Sequence, residues 1–197
     1  MQAAVDHRLG PSDGEAVRLL ALGVRFMIDG ETTGGAFSLV EHPLPPRALG
    51  SPIHTHRNED EYSYVLEGRV GVQLGDDVLE AGPGELVFKP RGVAHAFWNA
   101  GDEPARLLEL ISPAGFEHYF RELAPLLAAT ERDQAAIGEV VARHGSPSTS
   151  PPSGPWPNNP PAPGVALRAC PGRAVGEAVL GEGAGLHGGV AGVRGRW

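Results

Sequence analysis

Between Pro52 and Asn99, three histidines and a short acidic run fall at spacings that suit metal coordination. His54-Thr55-His56 places two imidazoles on one face of an extended strand, because side chains alternate with period two. A third imidazole, His95, and a carboxylate from neighbouring strands can then converge on one point. Three nitrogens and one oxygen are borderline ligands for a divalent transition metal, so the expected cofactor is one ion of Fe, Mn, Ni, Cu or Zn. The carboxylate comes from Glu59-Asp60-Glu61. Alternation sets Glu59 and Glu61 on one face and Asp60, read as a solvated charge, on the other.

The chain resembles the cupins. Their first motif, an H-x-H followed by a glutamate and a glycine, is matched at His54, His56, Glu61 and Gly68, while its leading glycine falls on Ala48. Their second motif is matched at Gly84, Pro90, Gly92, His95 and Asn99. The resemblance runs from about residue 20 to 145, and the flanking text is similar to small single-domain bacterial proteins of quercetin-dioxygenase-like type. It selects Glu61 over Glu59 and implies His54, His56, Glu61 and His95 as metal ligands. It also implies a dioxygenase acting on a small enolic or phenolic substrate, with Glu61 able to act as catalytic base. A metal-dependent isomerase or decarboxylase, or a non-enzymatic small-ligand binder, would use the same site.

Around these residues, parity along the strands makes Ser63, Val65 and Phe97 lining of a pocket, with Tyr62, Tyr64 and Trp98 facing the other way. Asn99 shares the face of His95; it either bonds near the site or holds a loop, the second being preferred. Gly68, Gly84 and Gly92 read as turn positions that need positive φ. Arg91 steers an anionic substrate or pairs with a surface acid. His7, His42, His118, His144 and His187 lack partners at ligand spacing and read as ordinary histidines.

The elements that must position this chemistry are short Val-, Leu-, Ile- and Phe-rich runs separated by turn signals from Val17 onward. With no helices between them they predict an all-β sandwich or barrel, and the resemblance implies a double-stranded β-helix, the jelly-roll cupin barrel. Residues 1–15 read as a flexible arm, 16–113 as the barrel and 114–145 as a helical segment. In that segment Ser112-Pro113 would cap the first helix and Pro125 would break it. Residues 146–197 are rich in Pro, Ser, Gly and Ala, which predicts a disordered tail adding nothing to the core. The tail's Gly183-x-Gly185-x-x-Gly188 imitates a dinucleotide fingerprint but lacks the helix that must follow, so no nucleotide cofactor is expected.

With 197 residues and 41% apolar content, the chain can hold one domain and its core. A net charge of −8 disfavours nucleic acid or an anionic membrane as partner. No stretch approaches the about 18 apolar residues of a membrane span, and the N-terminus lacks the pattern of a secretory signal. The single cysteine, Cys170, fits a reducing cytoplasm. The expected partners are a small-molecule substrate and a second copy in a homodimer.

Overall fold

The computed structural model describes residues 8–144 and the backbone of 146 and 147. Ten strands come first: β1 (Ala16–Leu19), β2 (Leu22–Ile28), β3 (Ser38–Leu44), β4 (Leu49–Thr55), β5 (Asp60–Glu67), β6 (Val70–Leu74), β7 (Asp77–Ala81), β8 (Leu86–Lys89), β9 (His95–Asn99) and β10 (Ala105–Ser112). Two helices, α1 (Glu117–Ala128) and α2 (Gln134–His144), and a two-residue strand β11 (Ser146–Pro147) follow. All pairings are antiparallel, in a six-stranded sheet of order β1-β2-β3-β10-β5-β8 and a five-stranded sheet of order β11-β4-β9-β6-β7. This is the jelly-roll arrangement, and its interior is the core.

Alternation dictates what each strand offers that interior. In β10, Ala105, Leu107, Glu109 and Ile111 are buried while Arg106, Leu108 and Leu110 point outward. In β5, Glu61, Ser63 and Val65 are buried and Tyr62 and Tyr64 lie on the outer face. Two of these strands therefore carry acids inward at the centre of the sheet, flanked by aliphatic side chains whose burial contributes about 1.5–3 kcal/mol each. β9 is buried at every position, because its second face is covered as well. Gly71 shows how tightly: a Cβ there would lie 2.2 Å from the Trp98 ring. The turn glycines Gly68, Gly84 and Gly92 have φ of 76°, 87° and 78°, the conformation expected of them.

Several expectations are corrected. Ser112 does not cap α1; it ends β10 and gives its hydroxyl to the Ala36 carbonyl. The start of α1 is served instead by Glu117, whose carboxylate accepts from the Gly30 and Gly115 amides at 3.0 and 2.6 Å, a placement that also suits the helix dipole. Pro125 lies inside α1 and does not end it. The missing amide bond is outweighed by the burial of Phe120, Leu123 and Ala124 against the barrel. For α2, Asp133 is the cap, its Oδ1 accepting from Ala135 and Ala136 at 2.9 and 3.1 Å.

Residues 8–15 are not a loose arm. Arg25 donates to the Gly10 and Asp13 carbonyls, and the Phe26 amide to that of Glu15. Ser146 and Pro147, assigned to the disordered tail, pair with Thr55 and His54 of β4. Residues 148–197, with the glycine fingerprint and Cys170, lie outside the described residues, as does His7.

Candidate metal centre and its cavity

Three strands bring the four candidate ligands together. β4 carries His54 and leads into His56, β9 begins with His95 directly opposite His54, and β5 supplies Glu61 from the other sheet. His54 Nε2 lies 3.0 Å from His56 Nε2, His56 Nε2 3.0 Å from Glu61 Oε1, and His95 Nε2 3.2 Å from Glu61 Oε2. All four donor atoms fall within 4.8 Å of one another. Neighbouring ligands around one ion with bonds of ~2.1 Å sit ~3 Å apart, so these contacts have the spacing a metal would impose.

The back of each ring decides which nitrogen is the donor. His54 Nδ1 gives its proton to the Pro52 carbonyl at 2.9 Å and His95 Nδ1 to that of Val93 at 3.0 Å. Each neutral ring is thereby left with a bare Nε2 aimed at the common point. Among the described residues His95 Nε2 is buried there without a hydrogen-bond partner. Behind His56 stands Glu59, its Oε2 3.7 Å from Nδ1, which is attraction without a hydrogen bond. Glu59 is thus placed behind the cluster, outside the set of converging atoms. These residues fit a divalent metal: three imidazoles and a carboxylate, two rings held in the donating tautomer, and one buried nitrogen with no other partner.

Electrostatics separate the rings. Burial lowers His54, helped by His95 and His56, and burial also lowers His95. For His56 burial acts downward too, but Glu61 and Glu59 more than offset it and raise the ring to about 9. Glu61 is held well below the usual carboxylate range: burial opposes ionisation, and Lys89 and His56 overcome it. Lys89 is fully buried, its Nζ 2.7 Å from Glu61 Oε2 and 3.0 Å from Glu109 Oε2. Ser63 donates to the same Glu109 oxygen at 2.8 Å. One ammonium therefore serves two carboxylates under the cluster, and nothing in the Lys89 position on β8 announced this from sequence.

The cluster opens on a cavity of about 430 Å³, within the range of small-molecule sites. Phe116, Tyr119, Phe120, Leu123 and Leu127 of the α1 region form one wall, and Val141 of α2 extends it. The β1–β2 turn (Leu19, Leu20, Ala21, Leu22) and β4 from Leu49 to His54 form the mouth. His42, Glu61, Phe97 and Glu109 line the inner end.

Of the expected lining residues, Phe97 is there. Ser63 and Val65 point inward but do not reach the cavity: Ser63 is spent on Glu109 and Val65 belongs to the core below. Asn99 is away from it as well. Its Nδ2 lies within 3.3 Å of the Leu44, Pro45 and Glu103 carbonyls and its Oδ1 accepts from the Gly101 amide, so it holds loops together. Arg91 forms a two-pronged ion pair with Asp60, 2.9 Å at its shortest, which pins the turn before His95 to β5. Sequence reasoning missed His42, whose inward parity on β3 was the available signal.

The model of the Cupin domain family matches residues 41–111, and with both motifs present in this geometry the chain belongs to the cupin family. Over 60 residues it is 35% identical to the tetracenomycin polyketide synthase protein TcmJ of Streptomyces glaucescens, covering 30% of this chain and 40% of that protein. It is likewise 35% identical over 60 residues to the polyketide synthase CurC of Streptomyces cyaneus, covering 30% and 39%. The chain thus spans about two fifths of the curated relatives it matches. Among solved structures, the polyketide cyclase RemF of Streptomyces resistomycificus is 30% identical with a TM-score of 0.49, over 55% of this chain and 80% of that one. Among the described residues no helix is long and apolar enough to cross a membrane.

Proposed function

We infer that this protein is a metal-dependent enzyme acting on a flat, enolic or phenolic aromatic molecule of the polyketide type. The observation that carries this reading is the junction of the donor cluster with an aromatic-lined cavity. The sequence likeness to TcmJ and CurC adds support for the substrate class. His54, His56, Glu61 and His95 would hold the metal. Once bound there, it supplies Lewis-acid stabilisation of negative charge developing on a substrate oxygen.

The chain's own residues do the rest. Phe97, Phe116, Tyr119 and Phe120 enclose a planar ring system and exclude water, which strengthens every charge interaction inside. Glu61, kept ionised by Lys89, takes the proton from a substrate hydroxyl or from carbon next to a carbonyl. Ring closure or isomerisation follows from the carbanion character so produced. Dioxygenation of the same substrate class is the second reading. It is supported by the donor set, since a redox-active ion held by His54, His56, Glu61 and His95 would supply the chemistry to activate dioxygen.

Elemental analysis followed by an oxygen-electrode screen of enolic and phenolic aromatics tests both. About one metal per chain with substrate turnover is expected. Oxygen uptake in step with turnover selects the dioxygenase, and turnover under nitrogen the cyclase or isomerase. Less than a tenth of an equivalent of metal after reloading would remove the reading altogether.

The lone cysteine keeps a reducing compartment such as the cytoplasm as the expected location. The outer face of the six-stranded sheet supports a homodimer. Tyr62 stacks on Phe88 at 4.9 Å there, and Leu86, Phe88 and Tyr64 are 59%, 46% and 42% exposed. Contiguous apolar patches of this kind mark association surfaces.

A further inference from the structure

Two side chains on the cavity wall outside the metal cluster, His42 and Glu109, are buried hydrogen-bond acceptors. The first is His42, almost fully buried and edge-on to the Phe120 ring at 5.5 Å. Its Nδ1 lies 3.0 Å from the Gly23 carbonyl, which can only accept, so Nδ1 carries the proton. Burial lowers this ring to about 4, hence it is neutral and its Nε2 holds a bare lone pair. Within the described residues His42 makes no other hydrogen bond.

The second is Glu109. Lys89 and Ser63 both donate to its Oε2, at 3.0 and 2.8 Å. Among the described residues its Oε1 is buried with no hydrogen-bond partner. A buried acceptor left unmatched costs about 1–3 kcal/mol, and both side chains line the same cavity. The two therefore share one demand, a hydrogen-bond donor delivered from within the cavity. The rest of the wall outside the metal cluster is carbon except for the Ser51 and Tyr119 hydroxyls, neither of which hydrogen-bonds to His42 or Glu109 among the described residues, and aromatic C–H groups do not meet that demand.

We propose that His42 and Glu109 form a hydroxyl-accepting subsite, so that the molecule bound in this cavity is a polyhydroxylated aromatic. It presents one oxygen to the metal cluster and at least one further free O–H to His42 Nε2 and Glu109 Oε1. The inference rests on the reading of the cavity as an aromatic site and adds which substituents the ring carries. A methyl ether or a bare hydrocarbon of the same outline leaves both acceptors unmatched.

The test compares 2,7-dihydroxynaphthalene with 7-methoxy-2-naphthol, which keeps one hydroxyl for the metal cluster, titrated by fluorescence at pH 8 into the protein as purified. The unaltered protein is expected to bind the diol tighter than its monomethyl ether by about tenfold to a hundredfold, the worth of a satisfied buried acceptor. In His42→Phe the preference falls to within about threefold, while affinity for the ether is kept because phenylalanine suits the neighbouring rings. In Glu109→Gln, Lys89 and Ser63 hold the amide oxygen in the place of Oε2. The amide NH2 then faces the cavity, and the preference for the hydroxyl is lost. His42→Phe leaves the Lys89 charge cluster untouched, so the test survives if Glu109→Gln does not fold.

A preference that persists in either folded variant overturns the inference, since the second hydroxyl would then be answering to some other group. Failure of both compounds to bind the unaltered protein overturns the aromatic-site reading along with it.

Discussion

Replacing Lys89 by methionine tests the electrostatics of the site most directly. Methionine has nearly the length of the lysine stem but no charge, so Glu61 and Glu109 lose the ammonium 2.7 and 3.0 Å away. Both carboxylates are buried, at 4% and 1% exposure. Removing one partner from such an arrangement costs about 3–5 kcal/mol, because uncompensated charge remains in the interior. For a chain of this size each kcal/mol moves the melting point by about 2–4 °C. Metal-stripped Lys89→Met should therefore melt about 10 °C or more below the unaltered protein.

Metal should partly undo the loss. A dication at the cluster supplies Glu61 with the positive charge that Lys89 no longer provides, and competition for that carboxylate disappears. Zinc affinity should rise by about tenfold, worth about 1.4 kcal/mol, so zinc should raise the melting point of the variant more than that of its parent. Replacing Lys89→Met together with Glu109→Leu removes the ammonium and one of its two carboxylates, leaving only Glu61 uncompensated, and should cost less than Lys89→Met alone. Scanning calorimetry with EDTA and with zinc reads all of this. A stripped Lys89→Met melting within about 2 °C of its parent would refute the dry ion cluster, and an unchanged zinc response would refute the competition for Glu61.

Other outcomes follow from the same geometry. Glu61→Gln should weaken zinc binding by about ten- to a hundredfold and, if turnover is found, lower it by about two to four orders of magnitude as the base is lost. Glu59→Gln, facing His56 Nδ1 from behind, should weaken zinc by no more than about tenfold; a larger effect than that of Glu61→Gln would exchange their roles. His56, raised to about 9 in the metal-free protein, binds a proton that metal must displace. Zinc affinity should thus rise by about tenfold per pH unit between about 7 and 8.5 and level off above that, as calorimetric titration would show. Without metal the sign reverses for stability: the protonated ring's pairing with Glu61 is present near pH 6.5 and fades as pH rises through about 9. Phe88→Lys, on the exposed sheet face, should halve the mass seen by light scattering if the homodimer forms there.

What was legible in the sequence was whatever depends on local spacing. His54-x-His56 needs only strand alternation, and the turn glycines need only their positive φ, so both could be placed residue by residue. The partners of Glu61 could not be read this way. Lys89 lies next to it only because β5 pairs with β8, and Glu109 meets Ser63 only because β5 pairs with β10 on its other edge. His42 looked ordinary because its place on the cavity wall depends on the packing of Phe97 and Phe120 around it. Pro125 misled for a related reason. Local rules end a helix there, and the burial of the α1 face against the barrel outweighs them.

The two-residue strand β11 sets where this chain can be shortened. Its backbone covers β4 at Thr55 and His54, and without it β4 becomes the outer strand of the five-stranded sheet. An uncovered strand presents free amides and carbonyls to any other chain. In this protein those groups would belong to the segment that carries His54. A version ending after Pro147 keeps that edge covered, while one ending at His144 invites edge-to-edge aggregation through the very strand that has to hold its imidazoles in place.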